Sequence, residues 1–264
     1  MKKYFVIGNP IDHSLSPKLH NYWFKKNNIK AVYDKKKIYE KDLKSIVSKV
    51  KEKKINGINV TVPFKKAVIP FLDKLSPESQ ETQSVNTIVF KNGNLIGHNT
   101  DIAGFEKAIK SLNYIMEGKS ILILGAGGVV PSIIVALKKM SVSNITISNR
   151  TKEKAENLKN LFENLNVVEW GIMPKLDVII NATSIGLNNE EINLDFSDLR
   201  ENKLYYDVIY NPSETNFLKK GKESGNISEN GKLMFIYQAL ESFKLWHGIE
   251  PKINDDTLKI LEND

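Results

Sequence analysis

The class of fold follows from residues 120–137, which read SILILGAGGVVPSIIVAL. The run carries no charged side chain, yet Gly125, Gly127, Gly128 and Pro131 would interrupt a membrane-spanning helix near its middle. A buried strand, a glycine turn and a buried helix explain the run better. Glycines in such a turn let the backbone approach a pyrophosphate, and the start of the helix offers unpaired N–H groups. The stretch therefore predicts the phosphate-binding turn of a dinucleotide-binding domain.

The end of the next predicted strand bears on the choice of cofactor. The strand Asn144–Ser148 is followed by Asn149, Arg150 and Thr151, and no carboxylate is present there. A domain that binds NAD carries an acidic residue at this place, where it binds the ribose hydroxyls. A guanidinium instead pairs with a 2′-phosphate and stacks on adenine. We therefore expect NADP rather than NAD, bound by Arg150 with help from Lys154 one helical turn further on.

Strands and helices alternate on both sides of the glycine turn. From about residue 119 onward the alternation predicts a doubly wound parallel sheet, and the first hundred residues form a second α/β unit. We expect an α/β chain of two domains with a cleft between them. Residues 1–102 would form the substrate-binding domain and residues 103–231 the Rossmann-like domain. Periodicity alone does not decide on which domain the helices within residues 232–264 pack.

The composition excludes several classes of protein. The chain has 264 residues, of which 41% are hydrophobic and 26% charged, as in ordinary globular proteins. It has no cysteine, which excludes disulfides, thiolate metal sites and cysteine nucleophiles. The four histidines lack the spacing of metal ligands, so we expect no metal site. No export segment is visible at the N-terminus, which favours a cytoplasmic protein.

The net charge of +7 is concentrated in the first half of the chain. Much of it lies in the lysine runs Lys35–Lys37 and Lys49–Lys54, which lack interleaved aromatic residues. Charge runs of this kind usually form solvated surfaces. We therefore expect a small-molecule substrate, no nucleic-acid partner and no membrane partner, and we leave a homodimer open.

Polar side chains stand near predicted strand ends in the first half. Thr61 and Lys65 flank the end of one predicted strand, and Asn86 lies inside another. Asp101 closes this half of the chain. Because ligands of open α/β sheets bind where strand ends face a crevice, these four residues are candidates for a substrate site.

Two serines follow the first predicted strand, and some of these polar residues also have a simpler interpretation. Ser16 could serve only to cap the first helix, with Pro17 in its first turn, while Ser14 lies just before it. Asp101 could likewise be a helix cap. Lys65, taken alone, could be one of many surface lysines.

Taken together, the motifs resemble those of the shikimate dehydrogenase family. The matching pieces occur in the order of the family over nearly the whole chain. They are SLSP at 14–17, NVTVPFK at 59–65, VNT at 85–87, NTD at 99–101, GAGG at 125–128, NRT at 149–151, NATSIG at 181–186, DVIYNP at 207–212 and the segment 231–239. The resemblance implies an oxidoreductase that reversibly reduces 3-dehydroshikimate to shikimate with NADPH, in the chorismate pathway of aromatic amino acid biosynthesis.

The resemblance also implies roles for individual residues. Ser14 and Ser16 would hold the substrate carboxylate, and Lys65 would be the catalytic residue, paired with Asp101. The ring hydroxyls would be bound by Thr61, Asn86, Asp101 and Gln238, with Tyr210 nearby. The cofactor would be lined by Gly125, Ala126, Gly127, Gly128, Val129, Asn149, Arg150, Thr151, Lys154, Val208 and Gly231. The family further implies that the C-terminal helices pack on the substrate-binding domain.

The chemistry of these residue types is consistent with such a reaction. Negative charge develops on a ketone oxygen as its carbon is reduced, and a donor must stabilise and protonate that oxygen. A lysine ammonium can supply both the hydrogen bond and the proton, with Asp101 orienting it. The sequence does not show whether Lys65 transfers the proton or mainly binds.

The chain departs from the family pattern in the glycine turn, and two alternatives stay open. Val130 stands where glycine or alanine is usual, and Pro131 removes one N–H from the first helical turn. One alternative is a quinate/shikimate dehydrogenase that uses NAD, which Arg150 argues against. The other is a non-catalytic protein that binds nucleotides or nucleic acid, which would leave the Lys65 and Asp101 motifs unexplained.

Overall fold

The computed structural model describes residues 1–196, 199 and 202–261, and it divides into two compact units. Unit one comprises Met1–Gly104 and Ile236–Asp264, and unit two comprises Phe105–Phe235. The last three residues of the predicted C-terminal segment, 262–264, lie outside the described residues. The functional roles of the predicted domains remain predictions.

Unit one is built on a six-stranded mixed sheet. Its strands are β1 (Lys2–Gly8), β2 (Ala31–Lys37), β3 (Gly57–Val60), β4 (Lys74–Leu75), β5 (Thr87–Lys91) and β6 (Asn94–His98), in the spatial order β2-β1-β3-β5-β6-β4. β1 is parallel to β2 and β3, whereas β5 is antiparallel to β3 and β6. The predicted hairpin between β5 and β6 is confirmed, and Asn92 and Gly93 both have the positive φ of its two-residue turn.

Unit two is built on a six-stranded sheet in which all paired neighbours are parallel. Its strands are β7 (Ser120–Leu124), β8 (Asn144–Ser148), β9 (Leu165–Val168), β10 (Val178–Asn181), β11 (Leu204–Asp207) and β12 (Ile227–Glu229), in the order β12-β11-β10-β7-β8-β9. This is the order of a doubly wound dinucleotide-binding sheet, which reverses between β7 and β10. The predicted α/β class and Rossmann-like sheet are therefore confirmed.

Ten α-helices connect and cover these strands in the described part of the chain. They are α1 (Ser16–Lys26), α2 (Leu43–Lys51), α3 (Phe64–Ala67), α4 (Pro77–Thr82), α5 (Asp101–Ser111), α6 (Val130–Lys139), α7 (Lys152–Lys159), α8 (Asn216–Glu223), α9 (Lys232–His247) and α10 (Asp255–Lys259). Across residues 1–196 and 202–261, none of the helices has the length and apolar character that a membrane crossing requires.

Helical periodicity explains how these helices pack. α2 buries Leu43, Ile46, Val47 and Val50, which recur at the spacing of one helix face. α6 is buried from Val130 to Leu137, as expected for a helix with apolar residues all round.

The C-terminal part of α9 packs within unit one against β1 and α1. The Trp246 ring lies 4.9 Å from that of Tyr4, and the Phe243 ring lies 5.5 Å from that of Phe24. Trp246 Nε1 also donates to the backbone oxygen of Ile88 at 3.1 Å. A Cβ atom at Gly57 would overlap the indole of Trp246, so β3 admits this helix only because it carries a glycine there.

Candidate active site

A buried ion pair joins α3 to α5 in unit one. Lys65 Nζ donates to Asp101 Oδ2 at 2.5 Å, and the two side chains are only 11% and 7% exposed. Lys65 lies on the short helix that follows β3, and Asp101 is the first residue of the helix that follows β6. Water screens this pair little, so its interaction is stronger than that of a surface ion pair. The structure thus brings together the two residues expected to be catalytic.

The side chain of Asn86 completes this group. Asn86 Nδ2 donates to Asp101 Oδ1 at 2.9 Å, so the carboxylate is bound by Lys65 on one oxygen and by Asn86 on the other. The backbone oxygen of Lys65 accepts from Val85 N at 2.9 Å, which ties α3 to the segment that carries Asn86.

Neither Ser16 nor Asp101 serves as a helix cap. The expectation that Ser16 caps α1 is wrong, because Leu15 occupies the N-cap position and Ser16 is already helical. At the start of α5 the cap is Asn99, whose Oδ1 accepts from Asp101 N at 3.0 Å and from Ile102 N at 3.4 Å. The side chain of Asp101 is therefore directed to Lys65 and Asn86 and not to the helix end.

The two serines and Thr61 lie beyond the ends of adjacent strands. The Ser14 hydroxyl accepts from Ser16 N at 3.3 Å, and the buried Ser16 side chain is hydrogen-bonded to Tyr33. Thr61 N donates to the backbone oxygen of Ile7 at 2.9 Å, which holds Thr61 beside the end of β1. A Cβ atom at Gly8 would lie 2.6 Å from Thr61 Cγ2, so the two strand ends are in close contact.

The remaining two substrate candidates lie on different units. Gln238 is half-buried on α9 in unit one, and its backbone oxygen accepts from Ser242 Oγ at 3.0 Å. Tyr210 follows β11 in unit two, where its ring stacks on Phe235 at 4.5 Å.

The glycine turn in unit two has the geometry that a pyrophosphate requires. Gly125 has φ +109°, and a Cβ atom there would lie 2.8 Å from the backbone oxygen of Ala182. Gly127 is exposed, and a Cβ atom there would lie 3.9 Å from its nearest neighbour. Ala126 and Gly128 complete the turn, and Val129 occupies the N-cap position of α6. The open side of the turn and the following helix N-terminus form a cradle for an anion.

The departures from the family pattern are accommodated inside the fold. Val130 is fully buried at the start of α6, and Pro131 lies in its first turn, where the missing N–H breaks no helical bond.

The end of β8, next to β7 in the sheet, carries the residues expected to select the cofactor. Arg150 is exposed and makes no ion pair with a described residue. Asn149 Nδ2 donates to the backbone oxygen of Thr151 at 2.7 Å, and Thr151 occupies the N-cap position of α7. Lys154 is exposed in the first turn of that helix. Two cationic side chains beside a glycine turn fit a dinucleotide with an additional phosphate on its ribose.

Val208, which follows β11, and Gly231, which precedes α9, are in direct contact. Gly231 N donates to the backbone oxygen of Ile209 at 3.0 Å, and a Cβ atom at Gly231 would overlap the backbone oxygen of Val208. Only a glycine fits at this position.

Sequence reasoning assigned no role to a group of buried polar residues in each unit. In unit one the group consists of five residues that are hydrogen-bonded to one another or to Asn86. They are Tyr33, Asn59, Thr87, Thr100 and Ser242. A signal was available for Asn59 and Thr87, which are polar residues inside apolar strand motifs. Ser242 lies in a helix with no motif, so nothing in the sequence singled it out.

In unit two the unassigned group surrounds Asp207. Its carboxylate accepts from Asn181 Nδ2 at 3.1 Å, Ile209 N at 3.0 Å and Thr215 Oγ1 at 2.7 Å. Burial raises the pKa of Asp207 to about 6, although these three donors act in the opposite direction. In the described residues, no group of three or more acidic residues or histidines could hold a metal ion.

Two family models match the chain. The model described as the shikimate dehydrogenase substrate binding domain matches residues 6–88, and the model described as shikimate / quinate 5-dehydrogenase matches residues 106–203.

Individual relatives match over the whole chain. A shikimate dehydrogenase (NADP(+)) of Pelagibacter ubique is 51% identical over 264 residues, covering 99% of this chain and 100% of that protein. The crystal structure of shikimate dehydrogenase from Aquifex aeolicus has a TM-score of 0.91 at 40% identity, covering 100% of this chain and 98% of that one. The Thermus thermophilus shikimate 5-dehydrogenase in complex with NADP(H) and shikimate has a TM-score of 0.89 at 30% identity, covering 99% and 98%.

Proposed function

The chain belongs to the shikimate dehydrogenase family, and from this premise we propose that it catalyses the reversible NADPH-dependent reduction of 3-dehydroshikimate to shikimate. The observation that carries the proposal is the buried pair of Lys65 and Asp101, with Asn86 bound to the same carboxylate. A lysine ammonium held in this way is a hydrogen-bond and proton donor in a site that excludes most water.

The proposed mechanism assigns the proton to Lys65. When bound, NADPH supplies the hydride that reduces the ketone carbon of the substrate. Lys65 Nζ donates a hydrogen bond to the ketone oxygen, stabilises the negative charge that develops there and delivers a proton to it. Asp101 keeps the ammonium in place through its Oδ2 atom, and Asn86 keeps the carboxylate in place through its Oδ1 atom. In the reverse direction the Lys65 amine takes the proton from the hydroxyl of shikimate.

The substrate is bound by side chains that present hydroxyl, amide and charged groups. In this proposal Ser14 and Ser16 bind the carboxylate of the substrate. The ring hydroxyls are bound by Thr61, Asn86, Asp101 and Gln238, with Tyr210 nearby. This assignment is supported by the positions of Ser14, Ser16 and Thr61 beyond the ends of the adjacent strands β1 and β3.

The cofactor is NADP, and the proposed residues come from neighbouring strands of the parallel sheet. The pyrophosphate is bound by the turn Gly125–Val129 at the N-terminus of α6. The 2′-phosphate is bound by Arg150 and Lys154, with Asn149 and Thr151 at the end of β8. Val208 and Gly231 line the remaining part of the cofactor site.

The alternatives raised by the sequence are disfavoured by specific residues. An NAD-dependent quinate/shikimate dehydrogenase would carry an acidic residue at the end of β8, where this chain has the exposed Arg150. In a non-catalytic protein the buried Lys65–Asp101 pair would have no function, although removing two charges from water costs free energy.

Several parts of the proposal remain predictions. They are the role of residues 1–102 with the C-terminal helices as the substrate-binding domain, the role of residues 103–231 as the NADP-binding domain, the cytoplasmic location and a homodimer. Subcellular fractionation and multi-angle light scattering test the last two directly.

The experiment that tests the function is an assay of the purified protein. Shikimate is offered with NADP⁺ or with NAD⁺, and the absorbance of the reduced nicotinamide is followed. We expect rapid reduction of NADP⁺ and much slower reduction of NAD⁺. Quinate in place of shikimate is expected to be a poorer substrate. Reduction with neither cofactor would overturn the proposed function, and reduction with NAD⁺ alone would overturn the assignment of Arg150.

A further inference from the structure

A buried polar network adjoins the Lys65–Asp101 pair and extends away from it into unit one. We define it by its six residues, which come from β2, β3, the segment before β5, β5 itself, the segment before α5, and α9. These are Tyr33, Asn59, Asn86, Thr87, Thr100 and Ser242, and all six are buried. The network therefore connects α9 to the carboxylate of Asp101.

The orientation of the Asn86 amide is the feature on which the pair depends. A carboxylate only accepts hydrogen bonds, so Asn86 must present its NH₂ group and not its oxygen to Asp101. On the opposite side, Asn86 Oδ1 accepts from Thr100 N at 2.8 Å and from Thr87 Oγ1 at 3.1 Å. These two donors hold the amide in the orientation that Asp101 requires.

The Thr100 hydroxyl also lies 3.2 Å from Asn86 Oδ1, but it accepts from Asn86 Nδ2 at 2.9 Å on the other side of the same amide. The backbone N–H of Thr100 is fixed, so the Thr87 hydroxyl is the remaining donor that can reorient, and its neighbours restrict it. Asn59 Nδ2 has three acceptors for its two protons: Thr87 Oγ1 at 2.9 Å, Ser242 Oγ at 2.9 Å and the backbone oxygen of Asn86 at 3.1 Å. The Asn59 amide is itself oriented, because its Oδ1 accepts from the Tyr33 hydroxyl at 2.7 Å. When Asn59 directs one of its N–H groups at the Thr87 oxygen, the Thr87 hydroxyl has its single proton left to donate.

The proton of Thr87 has three acceptors within reach, of which Thr100 Oγ1 at 3.5 Å is the most distant, and Ser242 decides between the two nearer ones. Thr87 Oγ1 lies 3.1 Å from Asn86 Oδ1 and 2.8 Å from Ser242 Oγ. When Ser242 donates its own proton to Thr87, the proton of Thr87 is directed to Asn86. Ser242 can instead donate to the backbone oxygen of Gln238, at 3.0 Å on its own helix.

We propose that Thr87, held by Asn59 and Ser242, is a positioning residue that fixes the Asn86 amide and through it the Asp101 carboxylate facing Lys65. None of the three touches Lys65 or Asp101 in the described contacts, so they act through Asn86. The consequence for turnover rests on the proposed function, whereas the orientation of the amide does not.

The kinetic test compares two substitutions at the same position. Thr87→Val keeps the shape of the side chain and removes the hydroxyl, whereas Thr87→Ser keeps the hydroxyl and removes a methyl group. We expect Thr87→Val to lower kcat with shikimate by about 10- to 100-fold, since small misplacements of catalytic groups have effects of this size. We expect Thr87→Ser to stay within about threefold of the wild type, and the KM for NADP⁺ to change little in either variant. A kcat that Thr87→Val leaves unchanged, or that Thr87→Ser lowers as strongly, would overturn the proposal in favour of a packing role.

The contribution of α9 is tested with a matched pair of serines. Ser242→Ala removes the network hydroxyl. Ser79→Ala removes another fully buried serine hydroxyl of unit one, which lies in α4 and accepts from the Ser76 hydroxyl at 3.4 Å. We expect Ser242→Ala to lower kcat by about threefold to tenfold while Ser79→Ala leaves it unchanged. Equal effects of the two substitutions would contradict a role for Ser242.

A second measurement does not require an active enzyme. The side-chain NH₂ protons of Asn86 are followed by NMR hydrogen exchange in the full-length protein. We expect them to exchange slowly in the wild type and in Thr87→Ser, and at least about tenfold faster in Thr87→Val. Equal exchange in all three proteins would overturn the positioning role. A wild type with slow exchange and no turnover would instead contradict the proposed function and leave the orientation of Asn86 established.

Discussion

Arg150 illustrates what a single residue contributes to this site. Its guanidinium is exposed at the end of β8 and makes no ion pair with a described residue, so nothing in that part of the chain neutralises it. A cation that is free at the edge of a dinucleotide-binding sheet is available to a phosphate on the ribose.

The first prediction concerns this arginine. Arg150→Ala should raise the KM for NADP⁺ by about 10- to 100-fold, because a hydrogen bond to a charged group contributes about 1.5–3 kcal/mol. The kcat/KM for NAD⁺, which lacks the 2′-phosphate, serves as the internal control and should change less than about threefold. A parallel loss with both cofactors would show that Arg150 does not recognise the phosphate.

Single residues also show where sequence reasoning succeeds and where it stops. The Lys65–Asp101 pair could be expected only from the resemblance to the shikimate dehydrogenase family, because position alone left Lys65 as one of many lysines and Asp101 as a possible helix cap. The assignment of Ser16 as a cap was wrong, because the helix begins one position earlier than its polar residue suggests. Ser242 could not be found, because a serine inside a largely apolar helix carries no signal until the strands on which the helix packs are known.

At the scale of one element, the turn between β7 and α6 separates two functions of glycine. Gly125 has a positive φ and no room for a side chain, whereas a Cβ atom at Gly127 would make only an ordinary contact, 3.9 Å from the backbone oxygen of Ala182. The first glycine is needed by the fold, and the second leaves the backbone accessible to a ligand.

The second prediction follows from this difference. Gly125→Ala should destabilise the protein by on the order of 1–3 kcal/mol, because the new Cβ atom meets the backbone oxygen of Ala182 in a strained conformation. Gly127→Ala should leave the free energy of unfolding nearly unchanged and raise the KM for NADP⁺. Chemical denaturation and steady-state kinetics on both variants check this. Equal losses of stability would contradict the division of roles.

Elements differ in how well the sequence predicts them. The buried strands β7 and β8 and the hairpin of β5 and β6 follow from their apolar patterns and turn residues. The short strands β4, β9 and β12 were not predicted, because two to four residues with exposed positions give no periodicity. They form only because a neighbouring strand offers unpaired backbone groups.

For the whole molecule, buried titratable groups make stability depend on pH in opposite directions in the two units. In unit one burial lowers the pKa of His20 to about 3, and His247 nearby acts in the same direction. In unit two burial raises the pKa of Asp207 to about 6. His20 therefore contributes stability that is present above its ordinary pKa of 6.5 and is lost as the pH falls toward 3. The contribution of Asp207 is present below 3.8 and is lost as the pH rises through about 6.

The third prediction uses His20, which is fully buried and stacks on Tyr33 at 4.2 Å. Between pH 7 and pH 5 the protonation of His20 in the unfolded chain should lower the free energy of unfolding by about 2 kcal/mol. His20→Phe keeps an aromatic ring in the same cluster and removes this contribution. Urea denaturation at the two pH values should show a smaller loss of stability for the variant. The same loss in both proteins would contradict the assignment.

The central claim is that Lys65 acts in the chemical step, and steady-state kinetics of Lys65→Ala test it most directly. The matched control is Lys66→Ala, which removes the exposed neighbouring lysine of the same helix. We predict that Lys65→Ala lowers kcat by about 10²–10⁴-fold, the usual contribution of a general acid, with a much smaller change in the KM for shikimate. Lys66→Ala should behave as the wild type. A Lys65→Ala enzyme with unchanged kcat and a strongly raised KM would show that Lys65 only binds the substrate.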